Sequence, residues 1–284
     1  MIPTKFAYRR AASIDEAIRL LQESGGEAKL LAGGHSLIPL MKLRLSEPAL
    51  LIDIGRIPDL RGIRERDGLI EIGATTTHHE LATSELLRRL APVVSEAAAE
   101  IGDPQVRHRG TIGGSLAHAD PAADLPAVMV AIDAEIHLKG PNGWRTVPAE
   151  SFFQDLFTVD MQPDEVLAAV KFRPVWHAAY AKLHQRASHY AIVGVCAALA
   201  IENGTIRSAR VAVTGASTHA QRLPNVEERL VGRQPTQAVI DEAASVAGDT
   251  LEDVNSDIHA SEEYRRAMVK VFTRRALERA VARA

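Results

Sequence analysis

Two glycine pairs set the tightest constraint on what this chain can fold into. Gly33 and Gly34 lie in Ala32-Gly33-Gly34-His35-Ser36-Leu37, and Gly113 and Gly114 lie in Thr111-Ile112-Gly113-Gly114-Ser115. Glycine lacks a Cβ, so a pair permits positive φ and turns consecutive N–H groups toward an anion, while the adjoining serine adds a hydroxyl. Each segment alone also has the composition of an ordinary tight turn. Leu30-Leu31 reads as a short buried strand before the first pair, and Leu37, Leu40 and Met41 after it suit a short helix or turn. Together the segments predict two loops that grip one phosphate-bearing ligand from two sides. Neither fits G-x-G-x-x-G or G-x-x-x-x-G-K-[ST], so neither a Rossmann dinucleotide site nor a P-loop NTPase is supported.

The 284 residues, 46% hydrophobic and 24% charged, can bury one large core or those of two to three modest domains. A net charge of −3 gives no broad field for nucleic acid or an anionic membrane, and Arg107-His108-Arg109 reads as a short solvated loop or partner contact. The lone cysteine, Cys196, sits in the apolar run from Ala191 to Leu199 and reads as a buried, inert thiol. One thiolate cannot hold an iron–sulfur cluster, which takes about four. No signal segment and no apolar run of about 18 residues is visible, so a cytoplasmic protein without a membrane span is expected.

Ser13-Ile14-Asp15-Glu16 is a Ser-x-x-Glu capping box, and Ile14, Ala17, Ile18 and Leu21 recur at helical spacing until Gly25-Gly26. Leu50 to Ile54 and Leu69 to Ile72 read as strands, the second after an Asp67-Gly68 turn. Thr77-His78-His79-Glu80 repeats the capping pattern, with helices expected over Glu80 to Leu90 and Pro92 to Ile101. Leu125 to Ile132 fits a helix, and Glu135 to Leu138 and Val166 to Phe172 fit strands. Tyr190 to Ile201 and Thr205 to Val213 read as β-rich runs expected to form an antiparallel hairpin around Asn203-Gly204, and the chain beyond Pro224 reads as helical. The order is mixed α and β, with a boundary near residue 176.

The second glycine segment runs on into Asp120-Pro121-Ala122-Ala123-Asp124, which supplies small residues for close approach and carboxylates for hydroxyl recognition. With Ala32 to Leu37, Thr111 to Ser115, and Lys182-x-x-x-Arg186 before Tyr190-Ala191, the chain resembles the FAD-binding medium subunits of molybdenum hydroxylases over nearly its whole length. Ser261-Glu262-Glu263-Tyr264-Arg265 resembles that family's C-terminal domain. The resemblance implies an α+β fold: a two-part FAD-binding domain of the PCMH (vanillyl-alcohol-oxidase-like) type over residues 1–176, with subdomains of about 1–55 and 56–176. A C-terminal domain of a small antiparallel sheet and helices would follow over 177–284.

It also implies the site. Ala32, Gly33, Gly34, His35, Ser36 and Leu37, with Thr111, Ile112, Gly113, Gly114, Ser115 and Ala117, would hold the pyrophosphate and adenosine portions of FAD. Asp124 would accept from cofactor hydroxyls; Asp120 would do the same or merely form a turn before Pro121. Leu167, Lys182 and Tyr190 complete the set. Lys182 would place positive charge near the pyrimidine end of the flavin or be a surface lysine on a strand; Tyr190 would pack on the isoalloxazine or begin a buried hairpin. A metal site built from His78, His79, His35 and His118 is rejected, because adjacent histidines do not face one ion and no H-E-x-x-H occurs.

By the same resemblance, FAD would take electrons one at a time from a small subunit carrying 2Fe–2S clusters. It would pass them to an external acceptor, a quinone, NAD or oxygen, while a large molybdopterin subunit oxidises the substrate. The assembly would be a dimer of heterotrimers without nucleic acid. Two other readings stay open: a stand-alone flavin reductase or oxidase resembling the enolpyruvyl-UDP-glucosamine reductases, and a non-catalytic flavin-binding assembly module.

Overall fold

A computed structural model of the chain describes residues 2–283. The strands Ala7–Arg10, Leu50–Asp53 and Ala28–Leu31 lie side by side in that order, all parallel. The helix Ile14–Glu23 covers them, burying Ile14, Ala17, Ile18 and Leu21. Ser13 caps this helix by accepting from Glu16 N. The box is not closed as the sequence predicts: the Glu16 carboxylate accepts from Ala12 N at 2.7 Å, one residue before the cap.

A second, antiparallel sheet runs in the order Ile63–Arg66, Leu69–Gly73, Val166–Phe172, Glu135–Gly140, Gly143–Pro148. Its first hairpin turns at Asp67 and Gly68, both at positive φ (53° and 74°), the geometry that matches strand twist. The central strand Val166–Phe172 contributes to the cores on both of its faces, with only Ala169 and Lys171 partly exposed. Val166 and Ala168 join the core of the parallel unit, while Leu167, Val170 and Phe172 join the larger core with Ile70, Ile72 and the helix Asp124–Ala131.

Four antiparallel strands, Ala178–His184, Ala191–Glu202, Thr205–Thr214 and Gln221–Arg222, form the third sheet. The long hairpin turns at Asn203 and Gly204, again both at positive φ. The helix Glu262–Val281 lies on this sheet and buries Val269, Phe272, Ala276 and Leu277. The opposite face delivers Tyr180 and Cys196 to the core of the second unit. No helix among the described residues is long and apolar enough to cross a membrane.

The helix expected over Glu80 to Leu90 is two helices, His78–Thr83 and Glu85–Leu90. Ser84 is extended and its hydroxyl accepts from Leu87 N, so one residue ends one helix and caps the next. The Thr77 box is complete: Thr77 Oγ1 accepts from Glu80 N at 3.2 Å and Glu80 Oε2 accepts from Thr77 N at 2.9 Å. Burial raises the Glu80 pKa, but hydrogen bonds from Thr77 and Arg61 outweigh it and hold the carboxyl below its ordinary value of 4.5. A folded-state value below the unfolded one contributes stability that is complete above about pH 4.5 and is lost as pH falls through the folded value. Glu80→Gln should therefore cost about 0.5 to 1 kcal/mol at pH 7, the low end for a cap because the carboxylate is partly solvated. In urea unfolding the difference from the parent chain should shrink steadily below pH 4.5.

Candidate functional site

A cavity of about 1130 Å³ opens between the parallel unit, the second sheet and the start of the third. Drug-sized ligands occupy pockets of about 300 to 1,000 Å³, so this one suits an extended molecule. Ala32, Gly33, Gly34, His35, Ser36 and Leu37 all line it, as do Thr111, Gly113, Gly114, Ser115, Ala117, Asp120, Asp124, Leu167 and Tyr190. Two expected residues do not. Ile112 is fully buried in the core, and Lys182 stands one layer behind the wall, bound to Asp124.

The first glycine segment leaves the strand Ala28–Leu31 and enters the helix Leu37–Lys42. Gly34 has φ +77°, so it turns the chain as a residue with a side chain rarely could. Gly33 serves a different purpose: a Cβ there would lie 2.0 Å from the carbonyl oxygen of Arg109. Among the described residues, the N–H groups of Gly33, Gly34, His35 and Ser36 donate to no protein acceptor. Four consecutive free donors on a cavity wall form an anion cradle.

The second glycine segment is not a loop. Thr111 caps the helix Ile112–His118, whose first turn contains both glycines. Its N–H groups are already committed: Ile112 to Thr76 O at 3.0 Å, Gly113 to Ala74 O at 2.8 Å, Gly114 to Thr111 Oγ1 at 3.2 Å and Ser115 to Thr111 O at 3.0 Å. Neither glycine has positive φ. A Cβ on Gly113 would lie 2.5 Å from that of Ala74, so glycine is there to let the helix meet the end of the strand Leu69–Gly73. This segment offers a smooth wall and hydroxyls, and the donors come from the first.

Asp120 makes the turn that its position before Pro121 predicts, accepting from Ala122 N at 2.9 Å. Asp124 is 4% exposed. Its Oδ1 accepts from Tyr180 Oη at 2.6 Å and its Oδ2 from Lys182 Nζ at 3.0 Å, and the ammonium also stands 2.8 Å from Oδ1. Burial pushes the carboxyl up, with Lys182 and then Tyr180 acting against it. The Lys182 side chain is 1% exposed, which excludes a surface lysine. Tyr190 precedes its strand and is 46% exposed at the cavity, so it does not begin a buried hairpin.

Ala74, Thr75, His78 and Gly110 also line the cavity. The small run Gly73-Ala74-Thr75 at a strand end was a readable signal for the first two. Gly110 gave no signal; a Cβ there would meet the His78 ring at 2.7 Å. Burial, then His35 and Arg107, lower the His78 pKa to about 4, so the ring is neutral at pH 7. His79 turns away and stacks on His108 at 3.9 Å, and His118 tilts against Phe157 at 5.0 Å.

A long cavity with free backbone donors, glycines that no side chain could replace and buried carboxylate chemistry defines a protein built around a dinucleotide cofactor. Residues 4–176 match the family model for the FAD binding domain in molybdopterin dehydrogenase, and residues 178–280 match the CO dehydrogenase flavoprotein C-terminal domain. The carbon monoxide dehydrogenase medium chain of Hydrogenophaga pseudoflava is 40% identical over 286 residues, covering 100% of this chain and 99% of that one. The 6-hydroxypseudooxynicotine dehydrogenase complex subunit alpha of Paenarthrobacter nicotinovorans is 39% identical, covering 100% and 97%. A solved structure of carbon monoxide dehydrogenase from Hydrogenophaga pseudoflava superposes with a TM-score of 0.96 at 40% identity, covering 100% of both chains. The chain belongs to the family of FAD-binding medium subunits of molybdenum hydroxylases. It is an oxidoreductase subunit, and its cofactor is FAD.

Gly33→Ala and Gly113→Ala should each cost about 1 to 3 kcal/mol by overpacking against backbone, and both should strip FAD from the purified chain. Gly114→Ala, whose Cβ would meet only the Thr111 hydroxyl at 2.9 Å, should keep more of both. Flavin absorbance per protein, read beside urea unfolding, ranks the three.

Proposed function

We propose that this chain is the electron-transfer subunit of its complex: it takes electrons from a 2Fe–2S subunit and delivers them to an external acceptor, a quinone, NAD or oxygen. Substrate oxidation belongs to a molybdopterin subunit, and the working assembly is a dimer of heterotrimers. The observation that carries this reading is the cavity wall from Gly33 to Ser36, with four free donors suited to pyrophosphate oxygens. The single cysteine supports the partner: Cys196 is fully buried and its thiol is pushed far up by that burial, so an iron–sulfur cluster must be held by another chain.

In this reading residues 1–176 bind FAD and 177–284 form the C-terminal domain, a division supported by family models that meet between residues 176 and 178. The backbone of Gly33, Gly34, His35 and Ser36 holds the pyrophosphate, Thr111 and Ser115 add hydroxyls, and Asp124 accepts from a cofactor hydroxyl. Lys182 acts on the flavin through Asp124. Tyr190 stands at the cavity and limits access of water to the isoalloxazine. Bound FAD supplies the coupling between one-electron and two-electron carriers; the chain binds it, orients it and sets its surroundings.

Substrates as different as those named for the relatives are oxidised beside similar medium chains, so the substrate class is left to the molybdopterin partner. The test is purification of the native complex. Flavin, iron and molybdopterin should co-elute, and the flavin of the isolated chain should stay oxidised when substrate is added alone. Direct reduction of the isolated flavoprotein by substrate would replace this reading with a stand-alone reductase or oxidase.

A further inference from the structure

The cavity wall from Asp120 to Asp124 belongs to the second unit, yet its polar groups are bound by the third. The carbonyl of Pro121 accepts from Gly215 N at 2.7 Å and from Thr214 Oγ1 at 2.9 Å. Ala122 O accepts from Ala191 N at 3.2 Å, and Ala123 O from Thr214 Oγ1 at 2.8 Å. The Asp124 carboxylate takes Tyr180 and Lys182. Lys182 Nζ also donates to Glu100 O at 3.1 Å, so its hold on Asp124 is shared.

Among the described residues, the Tyr180 hydroxyl has one hydrogen-bond partner, Asp124. The tyrosine is 2% exposed and its hydroxyl reaches Asp124 across the unit boundary. Gly194, paired with Lys182 on the neighbouring strand and so diagonal to Tyr180, makes the space: a Cβ there would lie 2.1 Å from the Tyr180 oxygen and 2.9 Å from Cζ. A glycine in the interior of a long strand weakens it, and close approach of another group is a reason to have one. The strand Ala191–Glu202 therefore carries a notch, and the notch seats the hydroxyl that meets Asp124.

We propose that Tyr180 is a positioning residue for the FAD site: seated in the Gly194 notch, it fixes the Asp124 carboxylate at the cavity wall in the geometry that accepts a cofactor hydroxyl. This rests on the reading of Asp124 as an FAD ligand. A hydrogen bond to a buried charged group is stronger than a neutral one, so its loss weakens whatever the carboxylate holds. It also leaves the carboxylate less able to stay ionised as pH falls.

The experiment is FAD titration of the full-length chain, followed by flavin fluorescence from pH 5.5 to 8.5, for the parent, Tyr180→Phe, Asp124→Asn and the double variant. Tyr180→Phe should weaken FAD binding about tenfold at pH 7.5 and more at pH 5.5. In the Asp124→Asn background the same change should have no further effect. Gly194→Ala keeps the hydroxyl but evicts it from the notch, and should repeat the Tyr180→Phe result even where that variant folds poorly.

Equal loss from Tyr180→Phe in both backgrounds, without pH dependence, would mean a merely structural tyrosine and overturn the proposal. Unchanged affinity in Asp124→Asn would overturn the reading of Asp124 and the proposal with it. A weakened Asp124→Asn beside an unaffected Tyr180→Phe would overturn the proposal alone.

Discussion

The structure depends on one strand packed on both faces. Val166–Phe172 sits in the middle of the five-stranded sheet, and of its 7 residues only Ala169 and Lys171 are partly exposed. Alternate side chains feed two cores: Val166 and Ala168 hold the parallel unit, and Val170 and Phe172 hold the helices behind the sheet. Leu167 from the same strand reaches the cavity wall. Hydrophobic burial is non-directional, but a strand pinned from both sides fixes where the two units stand, and so fixes the width of the space between them.

That space is lined by backbone more than by long side chains. An amide donor is already ordered by folding, so it binds an anion without the rotamer entropy lost by a lysine. Lys182, a buried cation behind the cavity wall, is committed to Asp124 instead. Removing either partner of such a pair leaves an uncompensated charge in a poor solvent, which costs more than the pair contributes. The pair ties the first strand of the C-terminal sheet to the helix Asp124–Ala131, so the wall of the cavity is also a junction between domains.

Local signals carried much of this into the sequence. Val166–Phe172 was readable end to end, because an apolar run closed by Arg173-Pro174 leaves little choice of bounds. The Asp67-Gly68 and Asn203-Gly204 turns were readable because few residues tolerate the left-handed conformation. The break at Ser84 was not, since a serine on the polar face of a helical pattern looks the same as a cap. Nor could the chain reveal why its glycines are there: Gly33 answers to Arg109 and Gly113 to Ala74, neighbours created only by tertiary packing. Asp124 was visible as a carboxylate in a small-residue stretch, but Tyr180 lies 56 residues away in sequence and nothing local marks it as a partner.

The close contact of Gly33 with Arg109 joins parts of the chain far apart in sequence. The cavity takes its wall from residues near 33, 75, 113, 124, 167 and 190, so no short fragment of the nascent chain contains a usable portion of it. Contacts this distant form only after their loops have closed and the sheets have paired. The cradle for the cofactor is therefore a property of the assembled fold and of no single stretch of the sequence.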